Sequence, residues 1–95
     1  MKSAKLFDFD FIGYQSFSGH ENSAARVGIT EDEYVLISYS TAVCGFNRNT
    51  KQIWCTGSYS TTTAKHITWF ARFINGKYGT ELTSEDFRKT INENE

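Results

Sequence analysis

Residues 38–74 decide the fold. They read Ser38-Tyr39-Ser40-Thr41-Ala42-Val43-Cys44-Gly45-Phe46, turn through Asn47-Arg48-Asn49-Thr50, and return as Lys51-Gln52-Ile53-Trp54-Cys55-Thr56. The chain then passes Tyr59-Ser60-Thr61-Thr62-Thr63 into Ala64-Lys65-His66-Ile67 and on to Ile74. Two β-prone runs flanking a polar, Asn-containing turn predict a hairpin. A two-residue loop at Asn49-Thr50 would set Cys44 opposite Cys55 and Phe46 opposite Ile53, with Trp54 covering Gly45 on the other face. A loop at Arg48-Asn49 keeps the faces and changes the partners, so the register stays open. Hydroxyls from Ser60 to Thr63 suit the start of a helix, where they satisfy orphan N–H groups. Ile67, Phe70, Ala71 and Ile74 then follow helical spacing, Trp69 and Phe73 widen the apolar arc, and Asn75-Gly76 reads as the stop.

Upstream, residues 6–12 alternate, with Phe7, Phe9 and Phe11 on one face and Asp8 and Asp10 on the other, which predicts a strand. Tyr14 to Ala25 has no usable period and reads as a loop. Arg26–Ile29 is a candidate short strand, and Thr30-Glu31-Asp32-Glu33 a charged turn. Tyr34–Tyr39 is β-branched and aromatic, as a central strand covered on both faces would be. Downstream, Thr83 as N-cap with Asp86 three residues on, and Leu82 and Phe87 as a hydrophobic staple, mark a second helix. Its seam is Phe87 and Ile91, with fraying expected over residues 92–95. Strands first and helices last predict a single α+β domain over residues 1–95. An antiparallel sheet of three to five strands would carry one main helix and a short C-terminal helix.

Ninety-five residues hold one core, and fifteen aromatic residues mean that a few large rings must fill much of it. No apolar run approaches the roughly 18 residues needed to cross a bilayer, and Asp8 and Asp10 interrupt the N-terminus before a signal-like run develops. The expectation is a soluble, cytoplasmic protein with no membrane association. Two cysteines are too few for a secreted disulfide scaffold, and in a reducing compartment they act as small buried hydrophobes.

The formal charge of −1 supplies no global field for nucleic acid. Its distribution is uneven: residues 48–82 carry Arg48, Lys51, Lys65, Arg72 and Lys77 against Glu81 alone, whereas residues 1–47 are net acidic. A solvated face accounts for such an imbalance, and an electrostatic binding surface is the sharper reading.

The strand Tyr39-Ser40-Thr41-Ala42-Val43, the short hairpin, Tyr59-Ser60, and Thr62-Thr63 followed by Lys65-His66-Ile67 together resemble a group of small bacteriophage proteins. That group carries a tyrosine-serine-threonine strand and a threonine-threonine-x-lysine-histidine helix start. The resemblance covers residues 36–75; Cys44 departs from it, standing where a small residue such as alanine is expected. It carries no activity over to this chain. It implies a phage or prophage gene acting in the cytoplasm of a bacterial host.

Thr62, Thr63, Lys65 and His66 at the helix start form a candidate anion pocket, since free N–H groups, hydroxyls and a lysine converge there. Capping alone also explains the hydroxyls. His66 with Cys44 or Cys55 has the residue types of a base and a nucleophile, but no acidic orienter or oxyanion motif accompanies them. The spacing Cys-x10-Cys-x10-His matches no usual zinc pattern, so neither a metal nor a cofactor is expected. Asp8, Asp10, Glu31, Asp32 and Glu33 have the chemistry to hold Mg²⁺ or to mimic DNA, and read more simply as a wet face. Tyr39, Trp54 and Tyr59 are candidate interface aromatics.

The expected function is that of a small phage-encoded, non-enzymatic binding protein, monomeric or homodimeric. It would inhibit or redirect a host bacterial protein such as an anti-phage defence component. The alternative is a nucleic-acid-binding module using Arg48, Lys51, Lys65 and Arg72 on the hairpin and helix.

Overall fold

The computed structural model describes residues 9–16, 24–39, 41–56 and 61–93. Five strands run β1 (Gly13–Gln15), β2 (Ala25–Ile29), β3 (Glu33–Ser38), β4 (Thr41–Asn47) and β5 (Ile53–Cys55), followed by α1 (Thr61–Tyr78) and α2 (Ser84–Glu93). The strands lie in sequence order, each antiparallel to the next, so the sheet is a meander with β3 at its centre. This is the α+β architecture that the order of apolar patterns predicts.

Both helices cover one face. Ile67, Phe70, Ala71 and Ile74 of α1 are buried with Phe87 of α2 against Ala25, Val27, Leu36, Cys44, Phe46 and Cys55. Val35, Ala42 and Trp54 form a smaller cluster on the opposite face, against which Phe9 and Phe11 pack. Central strand β3 is therefore covered on both sides, which explains its nearly unbroken apolar run. Leu36 pairs with Cys44 and Ile37 with Ala42, leaving Val43 as an extra residue in β4. That bulge turns Val43 and Cys44 to the helix side and Ala42 to the other.

The open hairpin register resolves to Cys44 opposite Cys55, Gly45 opposite Trp54 and Phe46 opposite Ile53. A four-residue connection produces it. Asn47 N donates to Gln52 O at 2.8 Å, Lys51 N donates to Asn47 O at 2.8 Å, and Lys51 takes φ 65. Asn47 Oδ1 accepts from the backbone N–H of Asn49 at 2.8 Å and of Thr50 at 2.9 Å, which is why asparagine starts this turn.

Three expected boundaries move. The strand over residues 6–12 is not seen: residues 6–8 lie outside the described residues, 9–12 are not strand, and β1 starts at Gly13 inside the expected loop. Phe9 and Phe11 still turn inward and Asp10 outward, so the alternation marks a segment lying across the sheet rather than a strand within it. Secondly, α1 passes through Asn75-Gly76 to Tyr78. The left-handed residue is Gly79, at φ 67, whose N–H bonds Asn75 O at 2.8 Å. The Asn75 side chain is engaged with the following loop, so it does not cap the helix itself: its amide donates to Leu82 O at 2.9 Å and its oxygen accepts from Leu82 N at 2.9 Å and Thr80 Oγ1 at 2.7 Å. Thirdly, α2 extends through Asn92 to Glu93, where fraying was expected, and residues 94–95 lie outside the described residues.

The start of α2 is as expected. Thr83 N donates to Asp86 Oδ2 at 2.8 Å and Asp86 N to Thr83 Oγ1 at 3.4 Å, a reciprocal box preceded by Leu82 packed on the core.

Candidate functional site

Ser38 ends β3 on the helix-facing side, and Thr63 and His66, three residues apart on α1, turn toward it. Ser38 Oγ lies 2.8 Å from His66 Nδ1 and 3.2 Å from Thr63 Oγ1. Ser38 and His66 are each 2 % exposed. Burial pushes the His66 imidazole below its ordinary value, so at neutral pH it is an uncharged hydrogen-bonding group. A hydroxyl against an imidazole has the spacing of a nucleophile and its base, but a nucleophile needs an open approach, and here both groups sit in the core. Lys65, in the same turn of α1, is exposed. Thr62 falls in the first turn of α1, and Tyr59 lies outside the described residues.

Tyr39 closes the corner. It is 58 % exposed, holds φ 57, and stands with its ring centroid 6.0 Å from that of His66. A bulky residue in the left-handed region carries strain of about 1 kcal/mol or more. The bond from its N–H to Ala24 O at 2.9 Å helps hold it there.

The basic residues divide between two regions. At the hairpin tip, Arg48 Nη2 donates to the carbonyls of Thr30 and Glu31, and its guanidinium lies 5.2 Å from the Tyr34 ring centroid. Lys51 Nζ donates to Arg48 O at 2.7 Å and lies 4.6 Å from the Tyr78 centroid. Both cations are thus engaged by this chain's own carbonyls and rings at the C-terminal end of α1. There Lys77 also suits the helix dipole. Lys65 lies in the opposite end of α1, thirteen residues before Tyr78, or about 20 Å along the axis. Lys65 and Arg72 are both exposed, two turns apart on α1. The two cysteines face the helix layer, buried at 0 % and 2 % exposure. Desolvation raises the Cys55 thiol to about 11 and that of Cys44 well above its ordinary value, so both are held as thiols and not as nucleophilic thiolates.

The face away from the helices carries a feature that sequence reasoning missed. Register places Tyr14, Gly28, Val35, Gly45 and Trp54 in one row across all five strands. Gly28 and Gly45 leave room for rings: a Cβ at residue 28 would meet the Phe11 ring, and one at 45 the Trp54 indole. Four rings result, running from one sheet edge to the other. Tyr14 and Phe11 have centroids 5.4 Å apart, Phe11 and Phe9 5.4 Å, and Phe9 and Trp54 5.9 Å at an interplanar angle of 9°. Trp54 Nε1 donates to Glu33 Oε1, and the Arg26 guanidinium lies 5.4 Å from the Tyr14 centroid. The β1 end is open, with Ile12 75 % and Tyr14 57 % exposed. The available signal was a glycine inside each of two strands, a mark of close approach by another group.

Residues 10–90 match a family of unknown function, DUF8033. The chain belongs to DUF8033. The matched DUF8033 span holds the sheet, α1, most of α2 and three of the four rings, Phe9 falling just before it. No curated protein and no solved structure matches the chain. Among the described residues, no three His, Cys, Asp or Glu side chains are grouped to hold a metal ion, and no helix is long and apolar enough to cross a membrane.

Proposed function

We propose that this chain is a non-enzymatic binding protein that docks a protein partner at the open β1 end of the four-ring row, where Ile12 and Tyr14 are exposed. The observation that carries this reading is the continuous ladder Tyr14–Phe11–Phe9–Trp54, opening at Ile12 and Tyr14. Tyrosine, tryptophan, phenylalanine and arginine are the residues enriched at the centres of protein interfaces. Rings in a row also stack nucleic-acid bases, but a phosphate backbone needs cations beside them. Along this face Arg26 is accompanied by Asp10 and Glu33, a balance that favours a protein surface over a polyanion. The resemblance to bacteriophage proteins supports a bacterial host protein as the partner, a defence component among the candidates, with its inhibition or redirection as the outcome.

The test is affinity capture from bacterial lysate, with and without nuclease, using the full chain beside Ile12→Asp and Tyr14→Ala. Both substitutions fall on exposed side chains and leave the core in place. One dominant protein, retained after nuclease at moderate salt and lost with either substitution, is the expected result. Retention unaffected by both would move the docking surface elsewhere.

A second reading, nucleic-acid binding, draws on Lys65 and Arg72, exposed two turns apart on α1, with Arg48 and Lys51 at the hairpin tip. It requires affinity that falls steeply with salt and weakens in Lys65→Ala and Arg72→Ala. Binding that ignores salt would end it.

A further inference from the structure

Cys44 and Cys55 are direct cross-strand partners on β4 and β5. Thr56 N donates to Val43 O at 2.8 Å, which makes the adjacent residue pair hydrogen-bonded and Cys44–Cys55 a non-hydrogen-bonded pair. At such positions the Cα atoms stand about 4.5 Å apart and the side chains leave the same face, inside the span that a disulfide bridges. Both thiols are free. We propose that Cys44 and Cys55 form an intramolecular oxidation site that a small-molecule disulfide converts to a cross-strand disulfide.

The exchange balances without another reactant. The Cys55 thiolate attacks one sulfur of glutathione disulfide, whose S–S bond breaks and releases one glutathione thiolate. The Cys44 thiolate then attacks the Cys55 sulfur of the mixed disulfide and expels the second glutathione. The protein loses two hydrogens, and the oxidant leaves as two thiols. Cys55 reacts first because it lies on a three-residue edge strand, whereas Cys44 is wholly enclosed. Burial of both thiols keeps the closed fold slow to react, so the reaction waits on β5 parting from α2. Once formed, the bond ties β5 to β4 immediately beside Trp54, fixing one end of the ring ladder.

The experiment incubates the 95-residue chain with glutathione disulfide, with and without urea below the unfolding transition. It then reads intact mass, thiols titrated after denaturation, and a non-reducing gel. The expected product is a monomer lighter by two hydrogens, with both thiols lost together, formed faster in urea and reversed by dithiothreitol. The Cys44→Ala chain should stop at a glutathione adduct on Cys55. Two thiols persisting in urea, a wild-type chain that stops at the adduct, or cross-linked dimers would each overturn the assignment.

Discussion

Trp54 lies flat on Gly45, its indole occupying the space where any side chain at residue 45 would begin. The two residues are opposed across β4 and β5, and the missing Cβ admits the ring as the last rung of the ladder. Gly28 does the same for Phe11 across the sheet. The two sites differ in what can yield: Trp54 is 5 % exposed and tied to Glu33, whereas Phe11 is half-buried on the segment preceding β1.

Gly45→Ala is accordingly expected to destabilise the fold by about 1–3 kcal/mol through overpacking, and to change the Trp54 fluorescence. Gly28→Ala should cost less, because Phe11 can swing aside, while it breaks the ladder in the middle. Urea unfolding of both variants checks the order. Equal costs would show that the two rings are held with equal firmness.

Ser38→Ala removes the hydroxyl that His66 Nδ1 bonds in the core. Leaving a buried polar atom unsatisfied costs about 1–3 kcal/mol. Chemical denaturation should therefore find a lowered midpoint with an unchanged slope. A neutral Ser38→Ala would mean that water replaces the hydroxyl.

His66 sets a pH dependence whose sign follows from its environment. Burial lowers its folded pKa below the ordinary 6.5, so the unfolded chain binds the proton more readily. The stability contributed by the neutral ring is fully present above 6.5. It declines as pH falls from there toward the folded pKa, by up to about 1.4 kcal/mol per unit. Unfolding free energies at pH 7.5 and 5.5 should differ in the native chain, and the difference should shrink in His66→Gln. Equal slopes in the two chains would place the dependence on other groups.

Asn75→Ala should loosen the connection between the helices, because one amide makes three bonds to Thr80 and Leu82. A loss of about 1–3 kcal/mol is expected. Amide exchange should accelerate around residues 80–83 before it does in β3. Uniform acceleration would indicate a global effect instead.

Local patterning carried much of the fold. The spacing of Ile67, Phe70, Ala71 and Ile74 specifies which face of α1 is buried, and Thr83 with Asp86 marks the start of α2, because both are interactions within a few residues. The run Tyr34–Ile37 likewise announces a central strand. Asn75-Gly76 misled because an asparagine can bond a distant loop as readily as cap its own helix, and only packing chooses. The candidate site was legible in part. Thr63, Lys65 and His66 stood out, but the inward turn of Thr63 and His66 depends on Ser38, twenty-eight residues before His66.

By itself the sequence determined where apolar faces recur, where helices begin and that glycine stands at residues 28 and 45. Tertiary structure alone decided that these glycines share a row with Tyr14, Val35 and Trp54, that Cys44 meets Cys55, and that Arg48 is spent on the carbonyls of Thr30 and Glu31. The physical reason is the strand's period of two: a shift of one residue exchanges every face, and the bulge at Val43 makes such a shift. Which residues become neighbours across five strands is therefore set by pairing, which no single segment contains.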